Sequence, residues 1–292
     1  MEMQENGKNI QWFPGHMTRT RRKMQESLKM VDVVVEVVDA RVPLSSRNPD
    51  LKNIVGNKPR VVVLNKCDIA DEASTARWIA AYRRKGITAL AVDCKSGHGV
   101  AGFSAALRQV LADKLAAWEE KGLHRPIRAM VAGVPNTGKS SFINRMSAGS
   151  KAKTEDRPGV TRENRWFTLK DGTLLMDTPG ILWPKFEDQT VARHLAYTGA
   201  IRDQILDIEE LACGLLTILQ NNYYPLLSAR YKLSETPETE DSWELLQLIG
   251  RKRGMLVSGG EVNTERAAIM LLDEFRGGKI GRITLEQPEE TV

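Results

Sequence analysis

Cysteine is scarce in this 292-residue chain, and Cys67, Cys94 and Cys213 lie scattered with no CxxC pair. An odd, unspaced set argues against a disulfide framework and suits a reducing compartment. Histidine is equally sparse: His16, His98, His124 and His194 show no metal-ligand spacing. No run of about 18 apolar residues occurs, which excludes a membrane-spanning helix. The opening MEMQENGKNIQWFPGHM has no apolar signal core, and the early Glu2 and Glu5 do not suit an organelle transit peptide. A cytoplasmic location is therefore expected. Internal repeats are absent.

What is present is core material. Hydrophobic residues make up 41% and charged residues 27%, so disorder as the dominant state is excluded. The net charge of +5 permits an acidic partner such as RNA. Short β-branched runs, VDVVVEVVDA (31–40), RVVVLNKCD (60–68), ITALAVDCK (87–95) and IRAMVAGV (127–134), alternate with segments of helical periodicity at 72–86 and 100–122. That alternation predicts an α/β fold with a parallel-dominated sheet flanked by helices. NRWFTLK (164–170) and TLLMDTPG (173–180) flank a hairpin signal at Asp171-Gly172. From about residue 188 only helical patterns remain, in three segments with an apolar face. The expected division is an N-terminal segment (1–19), an α/β domain (20–185) and an all-helical C-terminal domain (186–292).

Residues 133–140 read GVPNTGKS, a G-x-x-x-x-G-K-[ST] phosphate loop set between a strand and a helix, as the motif requires. Gly133 and Gly138 let backbone N–H groups turn toward phosphate oxygens, assisted by Asn136, Thr137 and Ser141 in the same turn. Lys139 would bridge the β- and γ-phosphates, and the Ser140 hydroxyl would ligate Mg²⁺. NKCD (65–68) ends a strand upstream of this loop. Asp68 can accept hydrogen bonds from guanine N1–H and the 2-amino group, which adenine does not offer. Asn65 would tie the base reader to the phosphate loop, and the Lys66 stem would lie over the ring. DCK, with Asp93, Cys94 and Lys95, matches the loop that closes over guanine O6. In DTPG (177–180), Asp177 would hold Mg²⁺ through water and the Gly180 N–H would meet the γ-phosphate. Thr161, in RPGVTRE, is the candidate switch threonine over Mg²⁺.

The order is base reader, O6 loop, phosphate loop, switch threonine, γ-phosphate sensor. This is the usual guanine-nucleotide set rotated, with the old ends joined through residues 120–127. Adjacent termini make such circular permutation tolerable. The new cut follows the γ-sensor, so the segment after it runs directly into the helical region instead of returning to the sheet.

At these residues the chain resembles the circularly permuted GTPases of ribosome assembly, in particular the ribosome biogenesis GTPase A type. The resemblance covers nearly the whole chain and includes WFPGHM (12–17), DARVP (39–43), NKCD, GVPNTGKSS, PGVTR, DTPGILWP (177–184) and DEFRGGKIGR (273–282). It implies GTP hydrolysis during late maturation of the large (50S) ribosomal subunit, stimulated by the particle and coupled to release. It also suggests His16 as a catalytic histidine, and Asn136 as a ligand for K⁺ beside Mg²⁺. Where many GTPases carry a water-orienting glutamine near the γ-sensor, this chain has Ile181-Leu182. Intrinsic hydrolysis is then expected to be slow, on the order of 10⁻⁴ to 10⁻³ s⁻¹. Basic clusters at 19–23, at Arg251, Lys252 and Arg253, and at Arg276, Lys279 and Arg282 are candidate rRNA contacts. The alternative reading is a GTP-dependent rRNA-binding scaffold whose hydrolysis is incidental.

Overall fold

The structure is a computed structural model that describes residue 10 and residues 17–148, 165–180, 182–183 and 186–288. The chain divides into two compact units, one of residues 13–184 with 286–292, the other of residues 1–12 with 185–285.

In the first unit, α1 (Met17–Leu28) precedes the central strand β1 (Val33–Asp39). There follow α2 (Pro49–Val55), β2 (Arg60–Asn65), α3 (Glu72–Arg84), β3 (Thr88–Val92), α4 (Phe103–Val110) and α5 (Ala112–Glu120). The unit continues with β4 (Arg128–Ala132), α6 (Lys139–Ser147), β5 (Trp166–Thr168) and β6 (Leu174–Asp177). The six strands lie in the order β3-β2-β1-β4-β6-β5. All neighbours pair in parallel except β5, which runs antiparallel to β6 at one edge. The expected α/β sheet is therefore present, with the 171–172 hairpin joining edge strand β5 to its neighbour β6.

Burial follows the strand period. Val33, Val35, Val37, Val61 and Val63 point to one face, with Phe103, Leu107 and Phe142. Val34 points to the other face with Met24, Leu28 and Met130, as do Val38, Val62 and Leu64 with Trp78 and Tyr82. Covering both faces is what converts alternating strands into continuous valine runs. The buried acid within β1 is neutralised: Glu36 receives Arg47 Nε at 3.1 Å and Nη2 at 2.8 Å.

One expectation needs correction. The helical pattern at 100–122 is broken at Leu111 (φ −108°), which separates α4 from α5. Residues 120–127, the joint of the permuted ends, are fastened to the sheet unit. Arg125 stacks on the Trp118 ring at 3.9 Å and donates to the buried Asp32, which also accepts from Lys114 and the Arg128 N–H.

The second unit contains α7 (Gln189–Tyr197), α8 (Ile208–Tyr231), α9 (Ser242–Lys252) and α10 (Thr264–Arg276). Each starts at a side-chain cap, Asp188, Asp207, Asp241 and Asn263 respectively, which satisfies an otherwise unpaired N–H. The core joins Leu215 and Leu219 of α8 to Leu246 and Ile249 of α9 and Leu271, Leu272 and Phe275 of α10, all buried. α8 runs to Tyr231 through a kink, with non-helical φ at Tyr223 (−139°) and Pro225 two residues on. Among the described residues, no helix is long and apolar enough to cross a membrane.

Candidate nucleotide site

In a parallel sheet the strand C-termini share one edge, and ligands bind in the crevice outside it. DARVP, NKCD, DCK, the phosphate loop and DTPG follow β1, β2, β3, β4 and β6, so the topology brings all five to that edge. The motifs, from Asp39 to Asp177 in the chain, converge there.

The phosphate loop is shaped by backbone geometry that only particular residues accept. Gly133 has φ +154°, and a Cβ there would lie 2.3 Å from the Val37 carbonyl oxygen. Gly138 has φ +90°, and a Cβ would lie 2.2 Å from Asn65 Nδ2. Asn136, exposed at the loop tip, takes φ +60° without a glycine's freedom. α6 begins at Lys139, with Ser140 and Ser141 exposed in its first turn.

The base-reading loop is tied to this cradle. Asn65 Nδ2 donates to the Thr137 carbonyl at 2.8 Å, while Asn65 Oδ1 is buried and, among the described residues, accepts from no group. An orphaned buried acceptor costs free energy unless something completes it. Lys66 (φ +62°) donates to the Asn136 carbonyl at 2.7 Å and to Asp39 Oδ2 at 2.8 Å. Sequence reading does not assign Asp39 to the site. Its carboxylate also takes Arg41 Nε at 2.9 Å and Nη2 at 2.8 Å. Burial works against its charge, but Arg41 and Lys66 outweigh it and hold the carboxyl well below the usual range. The DARVP signature is the available signal, since an Asp-x-Arg beside a strand end is a self-pairing unit. Asp68 is partly buried behind the same turn.

The DCK loop is organised from within. Asp93 accepts from the Lys95 N–H at 2.7 Å and the Ser96 N–H at 3.0 Å. Each of its two oxygens is thus engaged in its own turn. Burial raises its pKa, yet these bonds hold it lowered. Cys94 is pushed up to about 12 by burial and by the neighbouring Asp93, so its thiol stays neutral. Arg145 of α6 fastens the loop by donating to the Lys95 carbonyl at 2.8 Å.

At the other end, Lys139 is buried and donates to the Val134 carbonyl at 2.8 Å. Burial lowers its pKa to about 8 despite the attraction of Asp177. Burial raises the pKa of Asp177, with Lys139 opposing. Both charges are thus held under desolvation, in a position where phosphate and a cation would relieve them. Gly180 presses on the loop: a Cβ there would meet Pro135 N at 2.8 Å and Lys139 Nζ at 3.0 Å. Thr178 Oγ1 donates to the Val131 carbonyl at 2.6 Å and anchors DTPG to β4. Leu182 is buried. His16, Thr161 and Ile181 lie outside the described residues.

Among the described residues no group of three or more His, Cys, Asp or Glu converges as a metal cage. Mg²⁺ in phosphate sites binds through one or two protein oxygens, with substrate phosphates and waters completing the shell. Ser140 and Asp177 are of the donor types required.

A parallel sheet with a phosphate loop, a base-reading NKCD upstream of it and a γ-sensor downstream defines a circularly permuted P-loop GTPase. A family model described as 50S ribosome-binding GTPase matches residues 128–245. Ribosome biogenesis GTPase A of Bacillus cereus is 47% identical over 96% of this chain and 95% of its own length. The mouse mitochondrial ribosome-associated GTPase 1 is 32% identical over 94% of this chain and 90% of its own. The crystal structure of GNP-bound YlqF from T. maritima aligns with a TM-score of 0.63 at 27% identity, covering 93% of this chain and 99% of that one. The chain belongs to the ribosome biogenesis GTPase A family. It is a GTP-hydrolysing enzyme, and P-loop GTPases of this kind generally use Mg²⁺.

Proposed function

We propose that this GTPase acts in the cytoplasm as a timer for late maturation of the large ribosomal subunit, with hydrolysis stimulated by the particle and coupled to release. The observation that carries this reading is the apolar stretch following the γ-sensor. Leu182 is buried, and neither it nor Ile181 can orient a water. The chain binds nucleotide through a complete set of loops but lacks a water-aligning side chain at this place. A partner that completes the constellation then decides when hydrolysis occurs.

In this reading Asn65, Lys66 and Asp68 hold the base, with Asp93 and Cys94 in the loop that closes over O6. Asn136, Thr137, Gly138, Lys139, Ser140, Ser141 and Gly180 surround the phosphates. Mg²⁺ neutralises charge on the β- and γ-phosphates when bound, held by Ser140, Thr161 and, through water, Asp177. Lys139 exchanges its Val134 carbonyl for phosphate oxygens and supplies charge where it develops on the bridging oxygen. Asn136, exposed at the loop tip, would hold K⁺ with phosphate oxygens, and His16 is the candidate to align water when the particle is bound.

The test is GTP turnover in KCl and in NaCl, with purified large subunits and with small subunits as control. Stimulation of about tenfold or more by large subunits alone supports the timer. Greater stimulation in KCl supports the Asn136 cation site. Turnover indifferent to both particles favours the rRNA-binding scaffold.

A further inference from the structure

The chain leaves the helical unit after Leu285 and rejoins the nucleotide unit at Glu286. Its end there does not lie idle. The Glu286 carboxylate accepts from the Leu44 N–H at 2.6 Å, from the Ser45 N–H at 3.0 Å, and from the Ser45 hydroxyl. The Glu286 carbonyl accepts from Trp78 Nε1 at 3.1 Å. Gln287 Oε1 accepts from Arg77 Nη2 at 2.9 Å, and its amide donates to Ser74 Oγ at 3.0 Å. Two consecutive residues therefore fasten two separate segments, the turn after DARVP and the first half of α3.

Both segments lead to the guanine end of the site. Ser46, next to the turn gripped by Glu286, accepts from the Asp39 N–H through its hydroxyl at 2.9 Å and donates to the Val42 carbonyl at 2.7 Å. Asp39 holds the Lys66 ammonium. α3 begins four residues after Asp68. A carboxylate donated from the last residues of the chain thus sits one turn from the group that aims Lys66.

We propose that Glu286 is a positioning residue for guanine recognition: it fixes the 44–46 turn so that Asp39 holds Lys66 over the base. The strap gives the helical unit a second covalent route to the nucleotide site besides the one through DTPG. The residue two positions before Glu286, Thr284, is held in the helical unit, where its carbonyl accepts from the Tyr223 hydroxyl at 2.6 Å. Tyr223 is the kink residue of α8.

This inference rests on the guanine-site reading, and the test separates the two. In the full-length chain, the dissociation constant for a fluorescent GDP and the inhibition constant for tripolyphosphate, which lacks a base, are compared in wild type, Glu286→Ala and Glu286→Gln. Glu286→Ala is expected to weaken GDP by about fivefold to tenfold, within the range usual for coupled sites, and to leave tripolyphosphate unchanged. Glu286→Gln, which keeps an acceptor oxygen, should recover part of the loss. Hydrogen exchange at the Leu44 and Ser45 amides should accelerate in Glu286→Ala. Equal losses for GDP and tripolyphosphate would mean general loosening and overturn the proposal, as would no change in either. A wild-type protein that binds GDP no better than tripolyphosphate would instead remove the guanine-site reading itself.

Discussion

Asn65 and Thr137, 72 positions apart, are joined by a 2.8 Å hydrogen bond from the Asn65 side-chain amide to the Thr137 carbonyl. This bond ties the base reader to the phosphate cradle, and among the described residues Asn65 Oδ1 is buried without a partner. Asn65→Ala removes both the tie and the waiting acceptor. Losing a buried hydrogen bond costs about 1–3 kcal/mol, so GDP affinity should fall on the order of ten- to a hundredfold. Titration with a fluorescent GDP checks this, and tripolyphosphate affinity should fall less.

Asp68 tests the identity of the base. An Asp68→Asn side chain offers an amide donor where guanine presents its own donors, and pairs instead with the 2-oxo group of xanthine. A site left with mismatched polar groups discriminates by about 10⁴-fold in favourable cases. Asp68→Asn should therefore lose GTP turnover and regain it with XTP. Turnover of GTP equal to wild type would place base recognition elsewhere.

Lys139 makes nucleotide binding depend on pH. Burial lowers its pKa to about 8 in the nucleotide-free protein, whereas bound phosphate favours the charged form. Below pH 8 the ammonium is already present and affinity is flat. Above pH 8 binding must take up a proton, and GDP affinity should fall about fivefold between pH 8 and 9. The nucleotide-free fold behaves oppositely: between pH 8 and the unfolded-state value the unfolded chain carries more protons at this lysine, so stability contributed by Lys139 rises with pH. Lys139→Gln should bind weakly and lack both dependences. Titrations and thermal melts at pH 7, 8 and 9 measure them.

Local signals are readable in the sequence because their chemistry is local. GVPNTGKS dictates its own turn, and the valine runs dictate strands covered on both faces. Asp39, Arg41 and Lys66 do not read as one unit, because the pairing depends on β1 and β2 lying side by side. Glu286 is invisible for the same reason: its partners Leu44 and Ser45 are more than 240 positions away. Periodicity runs on across Leu111 although the backbone breaks there, and stops short of the kinked half of α8. Charge is the least legible property, since a run of basic residues does not reveal which of them already has an acidic neighbour.

Arg276 shows that last point and supplies a stability test. It sits in a cluster whose composition suggests RNA contact, yet its guanidinium donates to both oxygens of Asp203 at 2.7 Å. It also donates to the Ala196 carbonyl at 2.9 Å and the Tyr197 carbonyl at 3.1 Å. The side chain thus satisfies carbonyls at the C-terminal end of α7, where unpaired acceptors and the helix dipole both favour a cation. Lys279, by contrast, is exposed. Arg276→Ala should destabilise the helical unit by about 2–3 kcal/mol, because several charge-assisted bonds disappear together. Lys279→Ala should change stability by no more than about 0.5 kcal/mol. If Lys279 touches rRNA phosphate, its variant should weaken RNA binding and flatten the salt dependence by about one ion for each phosphate left unneutralised. Thermal melts paired with RNA titrations over a salt series measure both effects, and an Arg276→Ala protein with unaltered stability would refute the staple.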